Sequence, residues 1–255
     1  MTYFKWILFK LLGTNLYLRV VSALFFLMYR LNLLKGQTAF DYHYFVKKII
    51  KEGDVVIDLG ANLGYYSRIF SKLVGISGTV YCVEPVELYR SILKKNCKNC
   101  GNLVILPYAI GTNDNEGIKM GIPVTHGYFS HGRTCVLKEN KKCLMTFNAT
   151  VKTPDSLFPN LKRLDYLKCD IEGYESIAIP LFQNILRNFN PVLQIEIAKQ
   201  NRKQLVRFLA GMNYIAGEVR GKRIYLLSNP ALDATGDFIF IPKDKLKKSD
   251  DLLAG

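Results

Sequence analysis

The residues best suited to chemistry stand at the ends of apolar runs. The run Val55-Val56-Ile57 closes on Asp58 and turns through Leu59, Gly60, Ala61, Asn62, Leu63 and Gly64 into Tyr65. Glycines at such a turn let the backbone pass close to a ligand with no Cβ in the way. A dinucleotide-binding turn would carry a further glycine where Asn62 stands, to seat a pyrophosphate on a helix N-terminus. Here a carboxylate, Asp58, precedes the glycines instead. It would repel a pyrophosphate, but it suits a nucleoside that bears an ammonium and a sulfonium, the charge pattern of S-adenosylmethionine. A second run, Thr79–Val83, ends on Glu84, 20 residues past Gly64. That is where an acid accepts hydrogen bonds from ribose hydroxyls, and Pro85 stops the strand just after it. Ala61, Asn62 and Tyr65 flank the turn and are expected to touch the same nucleoside. Ala109, just past the third run, is placed to bring its backbone near the base.

Further acids mark the opposite side of such a site. Asp170 and Glu172 follow the run Tyr166–Cys169, and Glu196 lies near the end of Val192–Ile197. Asp170 is expected to orient or deprotonate an acceptor hydroxyl; the alternative is a helix N-cap with no chemical role. Glu172 and Glu175 would sit in a first helical turn, where the dipole favours acids anyway, and Glu175 is assigned no chemistry. Glu196 either binds the acceptor or joins Asp170 and Glu172 around a divalent metal; no metal is assigned. The chain has three histidines. His126 and His131 fall in an irregular stretch where an acceptor loop belongs, and either could serve as general base. His43 is expected on a helix face, the alternative being a place over the cofactor pocket.

These residues need a scaffold that brings strand ends together. The apolar pattern predicts helices over 42–51, 65–74, 87–96, 173–188 and 202–212, alternating with strands over 55–59, 79–83, 103–107, 166–169 and 192–197. Five β-α units imply an α/β fold with a mostly parallel sheet covered on both faces. Three more strands, over 214–218, 224–228 and 238–241, supply an antiparallel C-terminal edge, read as a closing pair. Two short strands, 117–120 and 144–150, break the irregular stretch 113–150. Residues 3–35 read as an N-terminal helical arm, broken at Gly13-Thr14-Asn15. The chain divides into the arm (1–39), one α/β domain (40–243) and a charged, frayed tail (244–255).

The runs Asp54–Ser67, Gly78–Pro85, Asp165–Glu175 and Gln194–Glu196 together resemble the FkbM-type methyltransferase family. The resemblance covers about residues 40–242. It implies a Rossmann-like class I methyltransferase fold, S-adenosylmethionine as cofactor, and O-methylation of a sugar hydroxyl or a related natural product. Cys169 departs from the larger aliphatic residue usual there, a change that should touch packing only. Residues 1–35 lie outside the resemblance, which gives them no role.

Composition narrows the partners. The chain has 255 residues, 49% of them hydrophobic, with a net charge of +14 and a pI near 9.4. Residues 1–51 hold eight basic side chains against Asp41 alone, half of the whole excess. Such a balance favours anionic lipid, an acidic glycan or nucleic acid. The acceptor is expected to be a small molecule or a glycan, free or lipid-linked. The arm could rest on an anionic membrane face, or simply pack on the domain. No nucleic acid is expected: Asp170-Ile171-Glu172-Gly173 lacks the aromatic platform for a flipped base, and no basic-aromatic module is recognisable. A nucleic-acid methyltransferase or binding protein, and a non-catalytic membrane-associated scaffold, are the competing readings. Cys82 and Cys169 lie in strand-like runs, as buried thiols of a reducing compartment do. Cys97 and Cys100 lack the second pair that a zinc site needs. The longest uncharged stretch of the arm, Val20–Tyr29, has ten residues, and a bilayer takes about 20. The chain therefore reads as cytoplasmic, with a peripheral place on the inner membrane face as the further option.

Overall fold

The computed structural model describes residues 2–123, 130–137, 142–230, 236–246 and 251–253, with side chains from Ile7 onward. The helices are α1 (Thr2–Arg30), α2 (Asp41–Ile49), α3 (Tyr65–Val74), α4 (Glu87–Asn96), α5 (Pro154–Leu157), α6 (Glu175–Leu181), α7 (Gln183–Phe189), α8 (Arg202–Gly211) and α9 (Lys243–Leu246). The strands are β1 (Val55–Leu59), β2 (Thr79–Val83), β3 (Leu103–Leu106), β4 (Tyr108–Ile110), β5 (Gly117–Pro123), β6 (Cys135–Val136), β7 (Cys143–Lys152), β8 (Tyr166–Cys169), β9 (Val192–Glu196), β10 (Tyr214–Arg220), β11 (Arg223–Leu226) and β12 (Asp237–Pro242).

The main sheet has eight strands in the order β11-β10-β12-β9-β8-β1-β2-β3. From β3 to β9 all neighbours are parallel. β12 is antiparallel to β9 and to β10, and β11 is antiparallel to β10. The expected closing pair is thus a three-strand edge, because β12 inserts between β10 and β9. The parallel strands are apolar almost throughout, as strands covered on both faces must be. The chain leaves β1 toward β2 and β3 on one side and returns to β8 on the other. The strand order reverses there, which opens a crevice at the carboxyl ends of β1 and β8.

Register fixes what borders that crevice. Asp58 lies beside Cys82 on one side and Lys168 on the other. Gly60 follows with φ 75°, and a Cβ placed on it would lie 1.9 Å from the Asp170 carbonyl oxygen. The first glycine is therefore required by the protein's own packing of the β1 and β8 loops, before any ligand is considered.

The stretch expected to be irregular builds a second sheet, ordered β4-β7-β5-β6. β7 alternates inward and exposed residues, with Thr146, Asn148 and Thr150 on the exposed face, and this period-2 pattern is what marks the strand in the sequence. The helix expected over 173–188 is two helices. Pro180 lacks the N–H that would continue the ladder, and the chain breaks at Phe182. The tail is not loose throughout: Leu253 bridges to Ile224.

α1 bends at Gly13 (φ 65°, ψ 171°), where the sequence places the break. Its second part packs on the domain, with Tyr17 and Leu18 buried among Leu63, Tyr89 and Ile92. Asn96 ties the layers together. Its Nδ2–H donates to the Leu63 carbonyl (2.8 Å), and its Oδ1 accepts from Ser22 Oγ–H (3.4 Å). The segment Ile7–Arg30 is also long and apolar enough, with mean hydropathy 1.6, to cross a membrane by length and composition. This corrects the ten-residue limit, because Lys10 and Arg19 interrupt the apolar run without ending the helix.

Gly60→Ala is expected to destabilise the fold by roughly 2 kcal/mol or more, through backbone strain and the Asp170 clash. Gly101→Ala, which has open space around it, should be nearly neutral. Urea unfolding of both variants checks this.

Candidate active site

The crevice holds a cavity of about 400 Å³. Its floor is the loop after β1 with Asp58, Gly60, Ala61 and Asn62, and one side is Glu84, Pro85 and Val86 after β2. Lys168, Asp170, Ile171 and Glu172 form the opposite side. Aromatic rings wall it: Phe25 of α1, Phe40, His43, Tyr65, Tyr66 and Tyr89. The segment His131–Thr134 closes over it. Asn62 Nδ2–H donates to the His131 carbonyl (3.3 Å), Thr134 Oγ1–H donates to the same oxygen (3.2 Å), and Thr134 Oγ1 lies 2.6 Å from Tyr89 Oη.

Asp58 borders the cavity from the end of β1. It is fully buried, accepts from Ser67 Oγ–H at 2.7 Å, and lies 3.7 Å from Lys168 Nζ. Its Oδ1, the oxygen that faces this lysine, is buried without a hydrogen bond among the described residues, and Asp58 lines the cavity. Lys168 also lies 3.3 Å from Asp170. Burial alone would lower its pKa, but Asp170 and Asp58 outweigh burial and raise it, so it stays an ammonium. Its Nζ sits 4.9 Å from the centre of the Tyr66 ring, on which His43 stacks at 4.0 Å.

Glu84 is buried, and its two carboxylate oxygens accept backbone N–H groups from Asn62 (2.8 Å) and Val86 (2.9 Å). Burial still pushes its carboxyl up to about 7. Each oxygen retains a lone pair for a further donor. Glu172 is held at φ 55°, the left-handed region that an ordinary residue occupies at some cost. Burial and the neighbouring Asp170 raise its carboxyl to about 8. Glu175 organises the turn that presents it, accepting from Ile171 N–H and Gly173 N–H at 2.9 and 3.0 Å.

Other expected residues stand apart. Gly64 does not line the cavity; it starts α3 against Leu93 and Cys97. Ala109 lines a separate apolar slot of about 40 Å³ that shares Gly60, Pro85, Met120 and Ile171 with the cavity. Glu196 lies at the end of β9 outside the cavity lining, with its carboxyl pushed up to about 8 by burial and Asp170. His126 falls outside the described residues. His131 does line the cavity, its Nε2 3.4 Å from Tyr65 Oη.

Two features are not read from the sequence, Lys168 and the arm residues Val21 and Phe25, and a third, His43 over the cavity, is only the alternative there. A lysine in the middle of Tyr166-Leu167-Lys168-Cys169 was itself a signal, since a buried cation requires carboxylates. His43 lies over the cavity rather than on an open helix face, and its Nδ1 is buried without a hydrogen bond among the described residues. Burial, then Lys168, lower its pKa to about 3, so it is a neutral imidazole. Val21 and Phe25 bring the arm into the cavity wall, and no motif pointed to them.

Residues 58–221 match the family model of the methyltransferase FkbM domain. The chain belongs to this family. The FkbM domain thus spans β1 to β10, with every strand that borders the crevice, and it is the domain of an S-adenosylmethionine-dependent methyltransferase. Over 89 residues the chain is 36% identical to a protein-L-isoaspartate O-methyltransferase of Methanosarcina mazei, covering 34% of this chain and 32% of that protein. A second protein of that name, from Methanocella arvoryzae, is 38% identical over 50 residues, covering 18% of this chain and 27% of that protein. The chain thus matches about a third or less of the length of these relatives. Similar solved structures include the methyltransferase FkbM of Methylobacillus flagellatus, with 12% identity, TM-score 0.47, and 78% of this chain and 50% of that one covered. Another is Aeropyrum pernix fibrillarin in complex with natively bound S-adenosylmethionine, with 14% identity, TM-score 0.43, and 75% and 67% covered.

The raised carboxyls give stability a pH dependence of definite sign. In the folded protein Glu84 keeps its proton up to about 7, and Glu172 and Glu196, which see more solvent, up to about 8. The unfolded chain releases these protons nearer 4.5. This stabilisation is complete below the unfolded value and is lost as pH rises through the folded values. His43, depressed in the fold, acts oppositely, but its contribution is already complete above 6.5. The Tm of the free protein should therefore fall from pH 6.5 to about pH 9, and Glu84→Gln should flatten the slope in a calorimetric series.

Proposed function

We propose that this FkbM protein transfers a methyl group from S-adenosylmethionine to a hydroxyl of a saccharide or glycan, free or lipid-linked. Glu84, Asp170, Glu172 and a neutral His43 facing one aromatic-walled cavity is the observation that carries this reading. The residues suit the donor. Asn62 Oδ1 is a buried polar atom with no hydrogen bond among the described residues, and Glu84 retains lone pairs beside it. Gly60, Ala61, Asn62, Glu84 and Pro85 would hold the nucleoside, with the apolar slot at Ala109 next to it. Asp58 would act through Lys168 and the shape of the loop, and Tyr65 through the wall and its contact with His131. When bound, S-adenosylmethionine supplies an electrophilic methyl group.

The chain's own residues then prepare the nucleophile. Asp170, fixed by Lys168, accepts a hydrogen bond from the acceptor hydroxyl and orients it. When Glu172 ionises, the hydroxyl turns its single proton from Asp170 to the Glu172 carboxylate, which takes it as the methyl group is transferred, and Asp170 keeps the acceptor oriented through a neighbouring hydroxyl. A carboxyl with a pKa close to the working pH suits general-base catalysis. The aromatic wall and the His131–Thr134 segment exclude water, and alignment supplies much of the rate. His126 is a second candidate base, and Glu196 a more distant contact for the acceptor. Peripheral contact with the inner membrane face, through residues 1–35, fits a lipid-linked acceptor.

Calorimetric titration with S-adenosylmethionine tests the donor. Saturable binding is expected, and Glu84→Gln should weaken it about tenfold or more, the cost of a charged hydrogen-bond acceptor. No binding by the wild-type protein would overturn the reading. Transfer of labelled methyl to saccharide acceptors should rise with pH up to a plateau above about 8, as Glu172 ionises. Glu172→Gln should remove that rise and lower kcat by about a hundredfold, with donor affinity unchanged.

A further inference from the structure

The two sides of α1 meet different surroundings. Its inner side is committed to the protein: Tyr17, Leu18 and Ser22 are buried, and Val21 and Phe25 line the cavity, with Phe25 4.5 Å from Tyr65. Its outer side carries Leu16, Val20, Leu24, Leu27 and, one residue past the helix, Leu31, each between 38% and 57% exposed. The Leu31 N–H still bonds the Leu27 carbonyl at 3.0 Å, so the helical path continues that far. At 3.6 residues per turn these side chains fall in one strip about 80° wide. A continuous leucine ridge of this kind is costly to leave in water and marks a contact surface.

Charge decides what covers the ridge. Arg19 and Arg30 flank it on one side, about a quarter turn from its centre. On that side a groove of about 950 Å³ runs between α1 and the domain, lined by Ala23, Phe26, Arg68, Lys72, Lys95 and Lys98. It continues into a smaller groove of about 200 Å³ that adds Arg30 and Lys47. Among the described residues none of these six cations beside Arg19 forms an ion pair. Glu52 borders the groove at Gly75. An apolar ridge with a shelf of unpaired cations along one edge is the arrangement that beds in anionic headgroups. The helix is long enough to cross a bilayer, but its inner side is held by α3 and α4, so it meets a membrane lying flat.

We propose that α1 docks flat on an anionic bilayer, ridge inward and the basic shelf on the headgroups, so that the acceptor reaching the cavity is itself tethered to that membrane. The same helix would then be both lipid-facing surface and cavity wall, through Val21 and Phe25. The acceptor half of this rests on the methyl-transfer reading above, and the docking half does not.

Co-sedimentation of the full-length protein with vesicles tests it. Vesicles of phosphatidylcholine mixed with phosphatidylglycerol should bind the protein, with affinity falling as salt rises, and phosphatidylcholine alone should bind it at least about tenfold more weakly. The pair Leu24→Glu with Leu27→Glu, and separately the trio Lys72→Glu, Lys95→Glu and Lys98→Glu, should each weaken binding at least about tenfold. Tm and donor affinity should stay at wild-type values in both, which separates a lost surface from a lost fold. Wild-type protein that ignores anionic vesicles would overturn the proposal. So would a ridge variant that still binds them, or a wild-type dimer that Leu24→Glu splits, which would make the ridge a contact between copies. Loss of RNA binding by the lysine trio with vesicle binding intact would also overturn it, reassigning the shelf to nucleic acid. Vesicle binding without any donor binding would remove the methyl-transfer reading and leave the docking standing.

Discussion

A lysine ammonium buried between two carboxylates holds the centre of this molecule. Lys168 enters the sheet on β8 beside Asp58 on β1, and Asp170 follows two residues later at the strand end. Burying an unpaired ion costs several kcal/mol, so β1 and β8 cannot separate, or slip in register, without exposing or orphaning a charge. Because strand order reverses between these two strands, the ion pair lies at the base of the crevice. Gly60 then allows the two loops to touch, and Ser67 and Tyr66 of α3 close around the pair.

The site inherits its properties from that base. Asp170 is fixed because Lys168 holds it. Glu172 is turned into the cavity because Glu175 ties the intervening turn and the backbone accepts a left-handed residue. Glu84 approaches from β2, its two oxygens already on backbone N–H groups, so it is oriented before any ligand arrives. His43 stays neutral because its imidazole is buried next to a permanent cation. Lys168 offsets part of the negative charge at the strand tips, the carboxyls around it raise one another, and what faces the cavity is a small number of directed acceptors in an aromatic enclosure.

The sequence was most legible where one element depends on its own residues. β1, α3, β2 and α4 begin and end where the apolar pattern and the glycines place them. The second sheet was only half visible, because β4 and β6 are short and gain their identity from β7 and β5. Asp58 was found in the right place for an incomplete reason: the residue that balances it is 110 positions away in the chain, and only strand register brings the two together. Gly60 likewise has a second reason that only the fold supplies, the approach of the Asp170 carbonyl. Val21 and Phe25 were illegible because nothing in a helix of leucines and phenylalanines says which of them will face a cavity.

Asn96 has a consequence of its own. One side-chain amide joins the arm, through Ser22, to the carbonyl of Leu63 inside the glycine loop. A segment outside the matched domain thus touches the back of the loop whose front is the cavity floor. A different leading helix on the same domain would leave the Asn96 oxygen to find another donor, so the arm and the glycine loop share one polar joint.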